Sequence, residues 1–299
     1  MTEFLQQLVN GLSLGSVYAL IALGYTMVYG ILRFINFAHS DVFMVGAFAG
    51  YYASRYFPHE SFFGGVAVTA LAMIACAALG VIIERLAYRP LRLRNSSNLS
   101  VLITAIGVSL FLENAGQLVF GADYKAFPPL FPEHDFSTAA GLHTTSNQLL
   151  VFVVTGVLLV GLRLIVMKTK IGAAMRAVSF NHQAASLVGI NNDRIISFTF
   201  ALGSALAAAG GILYSLNYPS IDPYMGILPG LKAFVAAVLG GIGNIPGAAL
   251  GGLLLGLIET FVNGSRYSTY TDAIAFAVLI LILIFRPAGL LGKFQVEKV

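Results

Sequence analysis

Long apolar segments separated by short polar stretches recur along the whole chain. A helix needs about 20 predominantly apolar residues to cross a bilayer. The apolar segments are Phe4–Leu32, Val42–Ser54, Ser61–Ile83, Leu99–Phe120, Gln148–Val166, Ile195–Leu216, Leu231–Phe261 and Ala273–Phe285. Val42–Ser54 and Ala273–Phe285 are short, with 13 residues each. The pattern predicts an all-α, polytopic integral membrane protein with about eight transmembrane helices, forming a single domain over residues 1–299.

The seventh apolar segment cannot form one continuous helix. Gly240–Gly247 contains four glycines and Pro246 within eight residues, and both residue types disfavour a helix interior. The pattern predicts two half-length helices joined by a turn. Half-helices of this kind border substrate paths in transporters, although a tight hairpin between two packing helices would have the same sequence. Whether the segment spans twice or re-enters stays open.

Two stripes of small residues predict close helix packing. Gly11, Gly15 and Ala19 recur every four residues in the first segment, and Ala248, Gly252 and Gly256 do the same in the seventh. Small residues at this spacing allow helix backbones to approach each other in a membrane.

The stretch Ile171–Arg194 lies between two apolar segments and is too polar to cross a membrane. Its small and apolar positions have helical spacing. They are Ala173, Ala177, Phe180, Ala184 and Leu187. Gly189 follows the last of them, and glycine commonly ends a helix. The pattern predicts a short helix at the membrane surface that either receives another protein or lies on lipid headgroups.

Composition and charge support the membrane class and orient the chain. Hydrophobic residues make up 58% of the 299 residues and charged residues only 10%, with a mean hydropathy of +0.84. Twelve of the 17 basic residues lie in Arg85–Arg94, Arg163–Arg194 and Arg286–Lys298, which the positive-inside rule places in the cytoplasm. The acidic stretch Gly121–Asn147 then lies outside. The N-terminus is predicted to lie outside, without a cleavable signal, and the C-terminus in the cytoplasm.

The chain lacks the patterns of several other functions. It has no phosphate-binding GxxxxGK[ST] loop, no histidine pair at metal-ligand spacing, and one cysteine, Cys76, in an apolar run. The chain also has no stripe of basic residues of the kind that binds nucleic acid. We therefore expect no catalytic residues, no metal and no cofactor, and predict a transport protein rather than an enzyme.

Four ionisable residues fall within or at the ends of apolar segments. They are Asp41, Glu113, Lys232 and Glu259. Such residues are costly in lipid and usually face protein or water, although Asp41 and Lys232 could also extend from span ends to the headgroups. The four are too few and too dispersed for the proton relay of a secondary transporter.

Four sequence blocks, in order, resemble the branched-chain amino acid permease family of bacterial ABC importers. They are Gly24–Phe48, Ile171–Ile190, Leu231–Gly256 and Arg286–Gly292. The first block is most similar to the LivH-type subunit, although Ser40-Asp41 stands where the family usually has Gly-Glu. The resemblance implies a bacterial inner-membrane subunit that forms the translocation path for leucine, isoleucine and valine. Its implied partners are a second homologous permease, two ATP-binding ATPase subunits and a periplasmic binding protein.

Two sets of candidate site residues follow, the first from the resemblance and the second from the polar residues of apolar segments and from the glycine-rich break. The ATPase-coupling residues, in a helix at about 171–190, are Gly172, Arg176, Ala177, Ala184, Ala185 and Gly189. The candidates for the translocation path are Asn36, Asp41, Gly241, Gly243, Asn244 and Glu259. The alternatives are a permease of a related sugar or nucleoside importer and a stand-alone secondary transporter.

Overall fold

The computed structural model describes residues 2–94, 96–137 and 143–292, and helices dominate it. The helices are α1 (Thr2–Leu32), α2 (His39–Ala53), α3 (Phe62–Ile83), α4 (Arg89–Leu93), α5 (Asn98–Phe120), α6 (Ser146–Lys168), α7 (Lys170–Phe180), α8 (His182–Leu187), α9 (Asn192–Asn217), α10 (Ile227–Gly240), α11 (Ile245–Asn263) and α12 (Thr271–Phe285). In the described part, seven helical stretches are long and apolar enough to cross a membrane. The predicted all-α membrane class is therefore confirmed.

Two small antiparallel ribbons are the exception to the helical fold. The strands are β1 (Lys125–Ala126), β2 (Asp135–Ser137), β3 (His143–Thr145) and β4 (Ser220–Ile221). β1 pairs with β4, and β2 pairs with β3. Both ribbons lie at the end of the bundle where residues 121–137 and 143–147 are found, which we call the loop end. We call the opposite end, which carries Arg89, Arg92, Arg163 and Arg176, the basic end. The bases predicted in the tail, Lys293 and Lys298, lie outside the described residues.

Helix α1 is the centre of the bundle and runs from the loop end to the basic end. Near its start, Gln6 Nε2 donates to the carbonyl oxygen of His143 at 2.7 Å. Near its end, the Gly30 carbonyl accepts a hydrogen bond from Ser179 Oγ of α7. Helices α9, α10 and α11 all pack on α1, so most of its residues are buried.

The two predicted small-residue stripes pack directly against each other. A β-carbon on Gly15 would lie 2.7 Å from Leu253 Cα, and one on Gly252 would overlap the backbone of Ala19. Since α1 and α11 meet through glycine and alanine, their backbones approach more closely than larger side chains would allow.

Helix α2 begins inside the bundle rather than at its surface. Residues 33–38 are not helical, and His39 Nε2 lies 3.2 Å from the carbonyl oxygen of Ile21, midway along α1. Because the non-helical residues cover the first part of the crossing, the helix itself needs only 15 residues. This accounts for the short second apolar segment. Ser40-Asp41 lies within the first turn of α2.

The glycine-rich break is a hairpin turn at the basic end. Gly241 and Gly243 have φ angles of 103° and 91°, which glycine adopts without strain. Gly240 packs on Gly247, and Gly243 lies against Gly30 at the end of α1. The prediction of two half-length helices was wrong for α11, which has 19 residues, whereas α10 has only 14.

The block Arg286–Gly292 holds this turn in place. The backbone N–H of Leu290 donates to the Leu239 carbonyl at 2.8 Å, and that of Leu291 donates to the Gly240 carbonyl at 3.1 Å. These bonds satisfy carbonyl groups at the C-terminus of α10 that have no partner within the helix.

Candidate coupling surface and transport path

The predicted surface helix consists of two helices. Asn181 is extended, with φ −156° and ψ 113°, and separates α7 from α8. Its side-chain oxygen accepts from the backbone N–H groups of Gln183 and Ala184 at 2.9 and 3.0 Å. Asparagine favours such a cap over a helix interior, and this local competition divides the segment. Gly189 follows α8 with φ 84°, as expected of a helix stop.

Three large apolar side chains of this segment are more than three-quarters exposed. Phe180, Leu187 and Val188 are 87%, 88% and 76% exposed, and we call them the apolar trio. Ala184 is also exposed and Ala177 is half-buried. Ala185 is only 3% exposed, so its assignment to an outward-facing contact surface is wrong. Ala185 is the residue of α8 that faces the core, as Gly172, Met175 and Val178 do in α7.

Gly172 and Arg176 attach α7 to α6. The Thr169 hydroxyl caps α7 by accepting from Gly172 N–H at 3.0 Å, and a β-carbon on Gly172 would overlap the carbonyl oxygens of Ile165 and Val166. Arg176 donates to the Val166 carbonyl. These contacts bind α7 to the helix before it, so both residues position the segment.

A partly buried ionic network lies near the start of α8. Asp193 accepts from Arg89 and Arg92, each at 2.6 Å. Arg92 also reaches Glu84 at 3.0 Å, and Glu84 accepts from Ser197 Oγ at 2.6 Å. Glu84 is fully buried. The network joins the end of α3 to the start of α9, and the sequence indicated it only through the cluster of arginines.

His182 opens α8 close to these charges. Partial burial lowers the pKa of the His182 imidazole below its usual value, and Arg92 and Arg33 lower it further. The neutral ring is therefore favoured at this position.

The path candidates Asn36, Asp41 and Glu259 are all buried, in separate groups. Glu259 accepts from Lys232 Nζ at 2.6 Å and from the Tyr18 hydroxyl at 2.8 Å.

The other two make different contacts. Asp41 accepts from Ser109 Oγ at 2.5 Å, and Asn36 accepts from the Tyr88 hydroxyl at 2.6 Å. The tyrosine partners Tyr18 and Tyr88 were not predicted, because their hydrogen bonds join residues far apart in sequence.

The other path candidates, Gly241, Gly243 and Asn244, lie in the hairpin turn. Asn244 caps α11 by accepting from Gly247 N–H at 3.3 Å and donates to the Leu291 carbonyl at 2.6 Å. Gly241 packs against Gly292, so its first role is structural. Gly243 and Asn244 border a cavity of about 730 Å³ at the basic end, which Arg33, Arg163 and Arg176 also line.

No group of three or more histidine, cysteine, aspartate or glutamate side chains within the described ranges is placed to hold a metal ion. Cys76 is buried on α3.

One protein family matches nearly all of this chain. Its description is "Branched-chain amino acid transport system / permease component", and the match covers residues 7–283. The chain belongs to this family. It is therefore a multi-pass membrane permease component, not an enzyme, and the resemblance noted in the sequence is confirmed.

Named relatives give the same result. The chain is 46% identical over 304 residues to the high-affinity branched-chain amino acid transport system permease protein BraD of Pseudomonas aeruginosa, covering 99% of this chain and 98% of the relative. It is 43% identical over 305 residues to LivH of Escherichia coli K12, with the same coverage. A ribose import permease of Haemophilus influenzae is 32% identical over only 39% of this chain and 38% of its own length. No solved structure matches.

Proposed function

We propose that this permease forms part of the translocation path of an ATP-driven importer for leucine, isoleucine and valine. One observation supports this substrate class: sequence identity above 40% extends over almost the full length of permeases named for branched-chain amino acids. The similarity to a ribose permease covers less than half of either chain, so the sugar-importer alternative has weaker support. In this proposal residues 1–299 act as one permease domain.

The proposed partners are a second homologous permease in a heterodimer, two ATPase subunits and a periplasmic binding protein. The apolar trio supports an ATPase contact at the basic end. Its three large apolar side chains are exposed within nine residues, and exposed apolar surface of this kind marks protein or membrane contacts. Full burial of one leucine or phenylalanine is worth about 1.5–3 kcal/mol. We propose that ATP-driven movement of the ATPases is transmitted to the helix bundle through α7 and α8, because α7 is hydrogen-bonded to both α6 and α1.

Recovery of the ATPase subunits with tagged permease tests the coupling surface. Phe180→Ser and Leu187→Ser should each reduce recovery by about tenfold or more, since the lost burial exceeds about 1.4 kcal/mol. Tyr124→Ser is the matched control, because Tyr124 is 76% exposed at the loop end. Equal recovery of all three variants would mean that α7 and α8 touch only lipid.

We propose that the permease lies in the bacterial inner membrane with a periplasmic N-terminus and a cytoplasmic C-terminus. The arginines of the basic end support this orientation. Single cysteines at Tyr124 and Ser97, both exposed, can be introduced after Cys76→Ala. An impermeant maleimide applied to spheroplasts should label Tyr124→Cys and not Ser97→Cys, and the opposite pattern would reverse the orientation.

Uptake by the reconstituted complex tests the substrate. Radiolabelled leucine should enter proteoliposomes only with ATP and the binding protein. Uptake of ribose instead would favour the sugar importer, and leucine uptake by the permease without ATPase subunits would favour a secondary transporter. Asn36, Asp41 and Glu259 are proposed to border the path, and Gly241, Gly243 and Asn244 to hold the hairpin beside it.

A further inference from the structure

A second cavity, of about 410 Å³, opens at the loop end between α1, α6, α9 and α11. Its volume falls within the range of about 300–1,000 Å³ typical of small-molecule sites. Part of its wall is polar, with Asn10, Ser13, Asn147 and Gln148 among the lining residues.

Two buried side chains of this cavity have hydrogen-bonding atoms without a partner in the described structure. They are Ser13 Oγ and Asn147 Oδ1, on residues that are only 3% and 7% exposed. Their polar neighbours bond to one another, as Gln148 Nε2 does to Asn10 Oδ1 at 3.0 Å. Buried polar groups are normally paired. Six buried residues of the described structure carry an unpaired side-chain atom, and Ser13 and Asn147 are the two of them that line this cavity, where a bound ligand would complete both.

The charges of the cavity determine which ligand groups fit. Asn147 Nδ2 donates to Glu133 Oε1 at 3.3 Å, and an ionised carboxylate can only accept. The Asn147 amide atom that remains without a partner is therefore the acceptor Oδ1, which lies beside the carboxylate of Glu133. An ammonium group, which is positive and only donates, suits this pair. The Ser13 hydroxyl can donate to a carboxylate.

Aliphatic side chains form another part of the wall. Leu14, Val17 and Leu216 line it, and these side chains would remove an aliphatic group from water. We infer that this cavity is a binding site within the single subunit for a zwitterionic amino acid with a small aliphatic side chain, received at the loop end of the bundle. The inference rests on the proposed function and adds a location and contact residues to it.

Binding of radiolabelled leucine to the assembled transporter in proteoliposomes, without the binding protein, tests the site. Asn147→Leu should weaken leucine binding by about tenfold or more, since a hydrogen bond to a charged group is lost. Ser13→Ala should weaken it by about threefold or more for the same reason. The matched controls are Thr155→Val on α6 and Thr26→Val on α1, which remove buried, unpaired hydroxyls away from this cavity. Both controls should bind leucine within about twofold of the unmodified transporter, because they leave the cavity unchanged.

Two analogues separate specific contacts from general damage. Asn147→Leu should leave the binding of 4-methylpentanoate, which lacks the ammonium group, unchanged relative to the unmodified transporter. Ser13→Ala should likewise leave the binding of leucinamide, which lacks the carboxylate, unchanged. If Asn147→Leu does not assemble, the smaller Ser13→Ala change decides the question with its own analogue.

Absence of saturable leucine binding in the unmodified transporter, or equal binding by site and control variants, would overturn the inference and mean that the cavity holds water only. ATP-driven leucine uptake with the binding protein is measured in parallel. If uptake proceeds while the binding prediction fails, only this site is wrong. If uptake itself fails, the proposed function is wrong.

Discussion

The ion pairs of Lys232 predict that the lysine and its partner Glu259 contribute unequally to the stability of the complex. Lys232 Nζ donates to Glu259 at 2.6 Å and to Asp272 at 2.7 Å. Lys232 and Glu259 are 7% and 6% exposed, whereas the Asp272 side chain is about half exposed. The lysine thus has two negative partners, while Glu259 has one positive partner and the Tyr18 hydroxyl.

Removing the lysine should therefore cost more than neutralising the glutamate. Lys232→Met leaves Glu259 buried without a counter-charge, and breaking a buried pair in this way costs about 3–5 kcal/mol. Glu259→Gln leaves Lys232 paired with Asp272, so only the charge assistance of one hydrogen bond is lost, about 1 kcal/mol. The double variant leaves no buried carboxylate and should recover most of the loss caused by Lys232→Met.

The assay is thermal stability of the assembled complex in detergent. The complex carries a fluorescent tag on the permease, and the fraction that remains monodisperse after heating is measured by size-exclusion chromatography. The unmodified complex should have the highest thermal midpoint, and Glu259→Gln should lie slightly below it. The double variant should lie close to Glu259→Gln, and Lys232→Met should be clearly the lowest. If the double variant is less stable than Lys232→Met, or if the two single changes are equal, the argument from an unpaired buried charge is refuted.

Two further predictions concern packing and pH. Gly252→Ala should lower the thermal midpoint, because its β-carbon would overlap the Ala19 backbone. Gly156→Ala is the control: no atom lies near its β-carbon, so this variant should be as stable as the unmodified complex or more stable by up to about 1 kcal/mol. Equal midpoints for the two variants would contradict the close approach of α1 and α11. The lowered pKa of His182 means that its contribution to stability is complete above the ordinary pKa of about 6.5 and is lost as the pH falls through the lower folded-state value. The complex should therefore lose more stability between about pH 7.5 and about pH 5.5 than His182→Gln does, and identical losses would show that His182 is not responsible.

The sequence by itself determined the class of the protein and its main crossings. Runs such as Ser61–Ile83 and Leu99–Phe120 carry no central charge beyond Glu113, and a bilayer accepts almost only helices from such runs. The spacing of Gly11, Gly15 and Ala19 also predicted a close contact before its partner was visible. These properties are local, so they can be derived without knowing which helices meet.

The tertiary structure decided everything that depends on distant residues. Only packing shows that Ala185 turns inward, that residues 33–38 enter the bundle without helical structure, and that the break at Gly240–Gly247 lies at one end of it. The partners of Glu259 lie 241 and 27 residues away in the chain, so no local pattern could reveal them. The same is true of the loop-end cavity, because Ser13 and Asn147 share it only after α1 and α6 have packed. Periodicity specifies which residues share a helix face. Which helix packs against that face depends on contacts between distant residues, including the cost of leaving buried polar groups unpaired.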